Sequence, residues 1–421
     1  MVKLQQDIDA KRISTRIEEL ARCSSTTVGV TRLPFTIEST KAERLVEEWM
    51  IAAGMSVRKD GLNNMIGRYE GKNPTAPVLM IGSHLDSVIE AGKYDGILGV
   101  ISGIEVVQYL RDNQIILDNP IEVVGFCDEE GVRFHSTFLG SKAIAGTFTQ
   151  EDLERTDENG ITIAEALNAI GISDPDAYKN ARRTPEELLA YLELHIEQGP
   201  VLEKENEAVG VVTGIAGATR FSFDIIGKPG HAGTVPVAIR QDALLGASEL
   251  ISFIEKIALE NEPLVATVGK LTVSPGASNV IPGLVTGTLD IRDLNVERKQ
   301  KAIDAILMES ERIAQTRGLQ ITFEQVMEAD PVYCSGEIMT LIEQSISEQG
   351  GSVIKLVSGA GHDAMAMADV TDVAMIFVRC KDGLSHHPDE FVTDEDMGAG
   401  AEVLLSTVMK IAGKQSNNID D

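Results

Sequence analysis

The stretch PVLMIGSHLDSVIEAGKYDGILGVISGIEVVQYL, residues 77–110, decides the fold class. It opens with PVLMIG (77–82), an unbroken apolar run of strand length. It closes with VISGIEVVQYL (100–110), whose apolar residues recur at helical spacing. A second apolar run, IEVVGF, follows at 121–126. Strands apolar on both sides belong to a mainly parallel sheet covered by helices on both faces. Strand, helix, strand at this spacing predicts an α/β layer architecture. Upstream, TKAERLVEEWMIAAG (40–54) reads as a helix with Thr40 as its cap and Gly54 as its stop.

Working outward, the texture changes near residue 214. FSFDIIG (221–227) alternates, a long helical stretch occupies 241–260, and strands are expected at 264–273 and 284–294. Helix 297–317 and strand 319–326 complete the order strand, helix, strand, strand, helix, strand, which is ferredoxin-like. After about 332 the segments IMTLIEQSISEQG and VAMIFVRC, and a helix beginning near Thr393, return to the earlier pattern. The chain therefore reads as one α/β domain (1–213 and 332–421) split by an inserted α+β domain (214–331) and ending in a polar tail, KQSNNIDD. Its 421 residues suit such a division.

Composition excludes some functions. With 65 acidic against 37 basic residues the formal net charge is −28, which argues against binding a phosphate backbone. No apolar run approaches the roughly 18 residues that span a bilayer. The opening MVKLQQDIDAKRI has no apolar core and no small-residue cleavage site, so no signal peptide is expected. Cys23, Cys127, Cys334 and Cys380 follow no paired spacing and are expected to be reduced thiols of a cytoplasmic protein.

Between the strand and the helix of the opening stretch lie His84, Asp86 and Asp95. Ligands in open α/β sheets gather at the carboxyl ends of strands, and imidazole with carboxylate suits borderline divalent cations. His84 and Asp95 are thus candidate ligands, and Asp86 is placed to accept the other ring N–H of His84. After 121–126 comes CDEEGVRF (127–134), with three adjacent acids that repel one another unless a cation is near. Glu130 is a candidate ligand and Glu129 a candidate general base for a bound water. Two similar segments, LELHIEQGP (192–200) and GLSHHPDE (383–390), read as strand-end loops. Of the seven histidines, all but His135 lie in segments of this kind, which favours a hydrolytic metal site over scattered surface histidines. In the insert, His231 in GKPGHAGTVP, Asn279 in SPGASNVIPG and Arg292 in LDIRD suit capture of a carboxylate and a developing oxyanion.

The ordered motifs SHLDSV–YDG, DEEGVRF, HIEQGPVLE, GHAGTVP, SNVIPG, SGAGHDAMAMA and SHHPDE resemble the hydantoinase/carbamoylase branch of the metal-dependent aminoacylase and carboxypeptidase superfamily. The resemblance runs from about residue 28 to 412. It implies a catalytic domain with an inserted lid and dimerisation domain, a homodimer, and two divalent cations per subunit, Mn²⁺ or Zn²⁺ with Co²⁺ and Ni²⁺ also accommodated. Asp95 bridges them by that resemblance, with His84 and His386 on one cation and Glu130 and His195 on the other. Glu129 is then the base and Asp86 the partner of His84. Gln198, His231, Asn279, Arg292 and the backbone at Gly359 and Ala360 hold the substrate, with His231 acting across the dimer. His387 departs from the branch, which usually has a small or amide residue after the last ligand histidine. The implied reaction is hydrolysis of a ureido group on a small carboxylate. The motifs look closest to allantoate amidohydrolases of purine catabolism, and N-carbamoyl-L-amino-acid hydrolases are the alternative. More distant readings are an aminoacylase or peptidase, or a non-catalytic ligand-binding homologue. Such a homologue tends to lose the base or a ligand, whereas every one of those positions is filled here.

Overall fold

The computed structural model describes residues 7–413, so the first six residues and the tail KQSNNIDD lie outside it. The chain divides into two compact units, one formed up to Gly214 and again from Cys334, the other by Ile215–Tyr333.

In the larger unit the strands are β1 (Ser56–Lys59), β2 (Met65–Tyr69), β3 (Val78–His84), β4 (Ile121–Phe126), β5 (Leu188–Ile196) and β6 (Val209–Ile215). Further along the chain, Val373–Val378 belongs to the same sheet. The sheet order is β1-β2-β4-β3-β5, then Val373–Val378, then β6. β3 pairs parallel with β4 and with β5, and Val373–Val378 pairs parallel with β5. β3 and β4 are buried along their whole length, as their unbroken apolar runs require. Helix α1 (Ala10–Ala21), helix α2 (Ile37–Ala52) and helix α3 (Ile97–Asp112) supply much of the core packed on them. The opening stretch thus forms strand β3, a loop, and helix α3.

One cap differs from the expectation. Helix α2 starts a turn earlier than Thr40 because Thr36 caps it: its hydroxyl accepts from the Ser39 N–H, and the Ser39 hydroxyl accepts from the Thr36 N–H. That reciprocal pair satisfies two end donors, whereas the Thr40 hydroxyl donates back to the Thr36 carbonyl.

The smaller unit contains β7 (Gly217–Ile226), α4 (Ala243–Glu260), β8 (Val265–Ser274), β9 (Leu284–Asp293), α5 (Val296–Arg317) and β10 (Gln320–Ala329). Its antiparallel sheet runs β10-β7-β9-β8, the ferredoxin-like order, and the two helices bury their apolar stripes in one core with Phe223, Ile225 and Leu289. Among the described residues no helix is long and apolar enough to cross a membrane. The four cysteines are free and buried.

Candidate metal centre

β4, β3 and β5 are parallel neighbours, so their carboxyl ends open on one edge of the sheet. His84 is the last residue of β3, His195 the penultimate residue of β5, and Glu129 and Glu130 follow β4 by three and four residues. Asp95 enters from the loop before α3. Gly96 beside it has φ +69°, and a β-carbon there would meet the His84 ring at 2.5 Å, so only glycine lets this backbone approach the imidazole.

The two buried imidazoles are oriented by backbone. Nδ1–H of His84 donates to the Asp86 carbonyl at 3.1 Å, and Nδ1–H of His195 to the Ile196 carbonyl at 2.9 Å. Both Nε2 atoms then face the Asp95 Oδ1, at 3.5 and 3.0 Å. The other oxygen, Oδ2, faces His386 Nε2 at 3.1 Å, and His386 lies 3.4 Å from Glu130 Oε1. Donor atoms within 4.8 Å of one another form four groups: His84–Asp95–His195 and Asp95–Glu130–His386, joined through Asp95, and also His84–Glu129–Glu130 and Glu193–His195–His362. The two groups joined through Asp95 set His84 beside His195, and His386 beside Glu130, where the expected pairing set His84 with His386 and Glu130 with His195. The reason is geometric. The two strand-borne rings approach Asp95 from inside the sheet, and the half-exposed loop histidine approaches its outer oxygen.

Asp86 also differs from its expected part. Its carbonyl, and not its carboxylate, takes the His84 N–H; the carboxylate Oδ1 is 3.7 Å from that nitrogen. The Asp86 carboxylate accepts instead from the backbone N–H groups of Glu129 (3.0 Å) and Glu130 (3.1 Å). It holds the acidic loop rather than the ring. Three left-handed non-glycine residues, Asp128, Gln198 and His386, flank the site, a backbone state rare outside glycine.

Electrostatics show what the cluster wants. Burial opposes charge on His84, yet the hydrogen bond to Asp95 and the charges of Glu129 and Asp86 raise its pKa well above the usual value. Burial likewise resists a charged Asp95, but hydrogen bonds from His195, His386 and His84 hold it well below the usual carboxylate range. Burial drives Glu129 well up, with His84 as its main counterweight, 3.9 Å away. Carboxylates this buried need compensating positive charge. Two groups of mixed imidazole and carboxylate donors, with the ring lone pairs facing inward, fit divalent cations.

Gln198 donates through Nε2 to Asp95 Oδ2 at 2.9 Å and to Ser385 Oγ at 3.1 Å, while its Oε1 is buried with no partner. His387 turns away into its own loop, where its Nδ1 accepts from the Asp389 N–H. Gly359 and Ala360 lie in the loop after Lys355–Ser358, in front of His362, whose ring meets that of His195 at 4.5 Å. A cleft of about 910 Å³ lies at the amino ends of the strands, where Lys72, Asp118 and Glu337 line it, away from these donors.

In the smaller unit His231 pairs with Val280, which puts it beside Asn279: the Ala232 N–H donates to the Asn279 carbonyl. Arg292 does not join them. It pairs with Ala218 at the far end of β9 and holds Asp290 through two bonds, of 2.7 and 3.1 Å. The length of β9 between Leu284 and Arg292 is roughly 27 Å at ~3.4 Å per residue.

Sequence reasoning missed several residues around the centre. Glu193 accepts from Ser83 Oγ (2.7 Å) and the Ala364 N–H (3.0 Å), tying β3, β5 and the 362–367 segment together. Burial pushes its pKa up. Ser385 and Glu390 contact Asp95 from the far end of the chain. Burial, with the charge of Asp95, raises Glu390 to about 7. The alternation of β5, LLAYLELHI, offered one signal: a glutamate two residues before a candidate ligand histidine, on the same face of a buried strand.

The profile of Peptidase family M20/M25/M40 matches residues 80–410, and the chain belongs to that family. It is 43% identical to an N-carbamoyl-L-amino-acid amidohydrolase of Pseudomonas sp. (strain NS671), over 96% of this chain and 98% of that protein. It is 40% identical to an allantoate deiminase of Arabidopsis thaliana, over 96% of this chain and 82% of that one. Among solved structures, a hydantoinase/carbamoylase family amidase from Burkholderia multivorans superposes with a TM-score of 0.93 at 37% identity, covering 97% of this chain and 99% of that one. The chain is a hydrolase acting on amide C–N bonds, in a metal-dependent family.

Proposed function

We propose that this enzyme hydrolyses the ureido group of a small carboxylate, R–NH–CO–NH₂ plus water giving R–NH₂, CO₂ and NH₃. The observation that carries the reading is Asp95, buried and shared by two donor groups, with Glu129 3.9 Å from the His84 ring. His84, His195 and Asp95 would hold one divalent cation, and Asp95, Glu130 and His386 would hold a second; Mn²⁺ and Zn²⁺ suit these donors, and Co²⁺ and Ni²⁺ would be tolerated. When bound, the cations supply Lewis acidity to the carbonyl and lower the pKa of water.

The protein's own groups do the rest. Glu129 takes the proton of the attacking water and returns it to the leaving nitrogen, a transfer favoured by a carboxylate whose pKa burial has raised. Gln198, whose Oε1 lacks a donor, accepts a substrate N–H. Backbone at Gly359 and Ala360 borders the substrate. Arg292 binds the carboxylate in place of Asp290, and His231 and Asn279 reach the substrate from a second copy of the chain. Arg292 sits near the end of β9 opposite Ala218, whereas His231 and Asn279 lie outside that strand, a placement that supports the homodimeric arrangement. Free buried thiols suit a reducing, cytoplasmic setting.

The motif reading favours allantoate as substrate. A second reading, N-carbamoyl-L-amino acids, is favoured by two relatives named for that activity, at 43% and 44% identity against 40% for the Arabidopsis allantoate deiminase. The test is ammonia release from allantoate and from a panel of N-carbamoyl-L-amino acids, by Mn²⁺-loaded and chelator-stripped protein. Turnover of allantoate alone, or of the carbamoyl amino acids, decides between the two. Absence of turnover on both with metal bound overturns the proposed reaction.

A further inference from the structure

Glu390 is 2% exposed, sits four residues past His386, and belongs to none of the donor groups around Asp95. Its carboxylate is nevertheless fully engaged. Oε1 accepts from the backbone N–H of Tyr94 at 2.9 Å and of Asp95 at 3.2 Å, and Oε2 lies 3.1 Å from the Ser385 hydroxyl. The same hydroxyl is 3.0 Å from Asp95 Oδ2. Gly92 makes room for this side chain, because a β-carbon there would lie 2.3 Å from the Glu390 side chain. Two loops almost 300 residues apart in sequence are thus fastened through one buried carboxylate. One loop carries Asp95, and the other carries His386.

A buried carboxylate beside another carboxylate is costly unless its oxygens are satisfied. Among the described residues no cationic side chain pairs with Glu390; backbone donors and one hydroxyl satisfy it. Such an arrangement fixes position. Because each oxygen of Asp95 faces a different donor group, displacement of its loop would spoil both groups at once.

We infer that Glu390, with Ser385, is the positioning residue that presents Asp95 and His386 to the cations as one preformed unit. It is not a ligand. The inference rests on the two-cation reading of the site and extends it to residues that touch neither the cations nor the substrate.

The test is calorimetric titration of the stripped full-length protein with Mn²⁺ and with Zn²⁺, bound metal being counted by elemental analysis. It compares wild type with Glu390→Ala, Glu390→Gln and Ser385→Ala, with the melting temperature of each stripped protein measured alongside. Glu390→Ala is expected to weaken metal affinity about 10- to 100-fold, the usual effect of losing a group that orients ligands. Glu390→Gln keeps an acceptor for the Tyr94 and Asp95 N–H groups and is expected to retain wild-type affinity. Ser385→Ala is expected to fall between them.

A lower melting temperature with unchanged affinity in Glu390→Ala would reduce Glu390 to a structural staple and overturn the inference. So would a Glu390→Gln as weak as Glu390→Ala, which would mean that charge and not acceptor geometry matters. Should Glu390→Ala fail to fold, Glu390→Gln and Ser385→Ala decide alone: wild-type affinity in Ser385→Ala, or lost affinity in Glu390→Gln, overturns it. Wild-type protein that binds no cation is a different result and removes the two-cation reading itself.

Discussion

The two units treat their polar residues in opposite ways. At the carboxyl ends of β3, β4 and β5, charged groups are buried and crowded: His84, Asp95, Glu129 and His195 are each at most 6% exposed. In the smaller unit His231 and Asn279 are exposed, and Arg292 is held by a neighbour on its own strand. Buried charges of this kind are uneconomical without a cation, so their geometry is legible within one chain. Exposed polar residues cost little wherever they stand, so burial says nothing of what they bind.

The largest expected effect falls in the buried cluster. Glu129→Gln keeps the shape and removes the base, and kcat is expected to fall about 10²- to 10⁴-fold with bound metal unchanged by elemental analysis. Retained turnover in that variant would break the assignment of the base. Next in size, Asp95→Ala, which disrupts both donor groups, is expected to lose both cations. His386→Ala leaves His84, Asp95 and His195 in place and is expected to lose one. Equal stoichiometry in the two variants would contradict the pairing of ligands described above.

In the smaller unit Arg292→Ala is expected to raise KM about 10- to 100-fold, the range for a charged hydrogen bond of about 1.5–3 kcal/mol. Steady-state kinetics on whichever ureido substrate proves active checks it, and an effect confined to kcat would move Arg292 into the chemistry.

A smaller consequence concerns the thiols. Burial pushes Cys380 up to about 11 and Cys334 up to about 12. Native protein at pH 8 is expected to show no fast-reacting thiol towards an aromatic disulfide reagent, and denatured protein four.

The smallest effect is the Arg220–Asp290 pair on exposed sheet. Burial alone would raise Asp290, but hydrogen bonds from Arg292 and Arg220 win and lower its pKa. A lowered folded pKa contributes stability above the ~3.9 of an unfolded aspartate, and that contribution is lost as pH falls through the folded value. Arg220→Ala is expected to cost about 0.2–1 kcal/mol at neutral pH, less in high salt, and nothing once Asp290 is protonated. Urea melts at pH 7 and pH 2.5 check the sign.

Much of the fold was legible because periodicity is local. The apolar runs 77–82 and 121–126 announced buried parallel strands, and the order of elements in the insert announced its sheet. The helix cap was misplaced by one turn, since Thr36 and Thr40 carry the same side chain and only the reciprocal bond with Ser39 distinguishes them. Candidate ligands were legible as residue types at strand ends. Their pairing was not, because it depends on which oxygen of Asp95 each ring meets.

By itself the sequence determined the α/β core with its insert, the donor chemistry of the loops, and the kind of reaction that such donors suit. Composition and spacing carry those, since each is a property of residues near one another along the chain. Only the tertiary structure decided that His84 shares a donor group with His195, that the Asp86 carboxylate holds the acidic loop, and that Glu390 reaches the backbone of Asp95. It also decided that Arg292 pairs with Ala218 near the end of β9, while His231 pairs with Val280 outside that strand. Each of these joins segments distant in sequence, and hydrogen-bond geometry across such gaps is set by how the strands and loops pack.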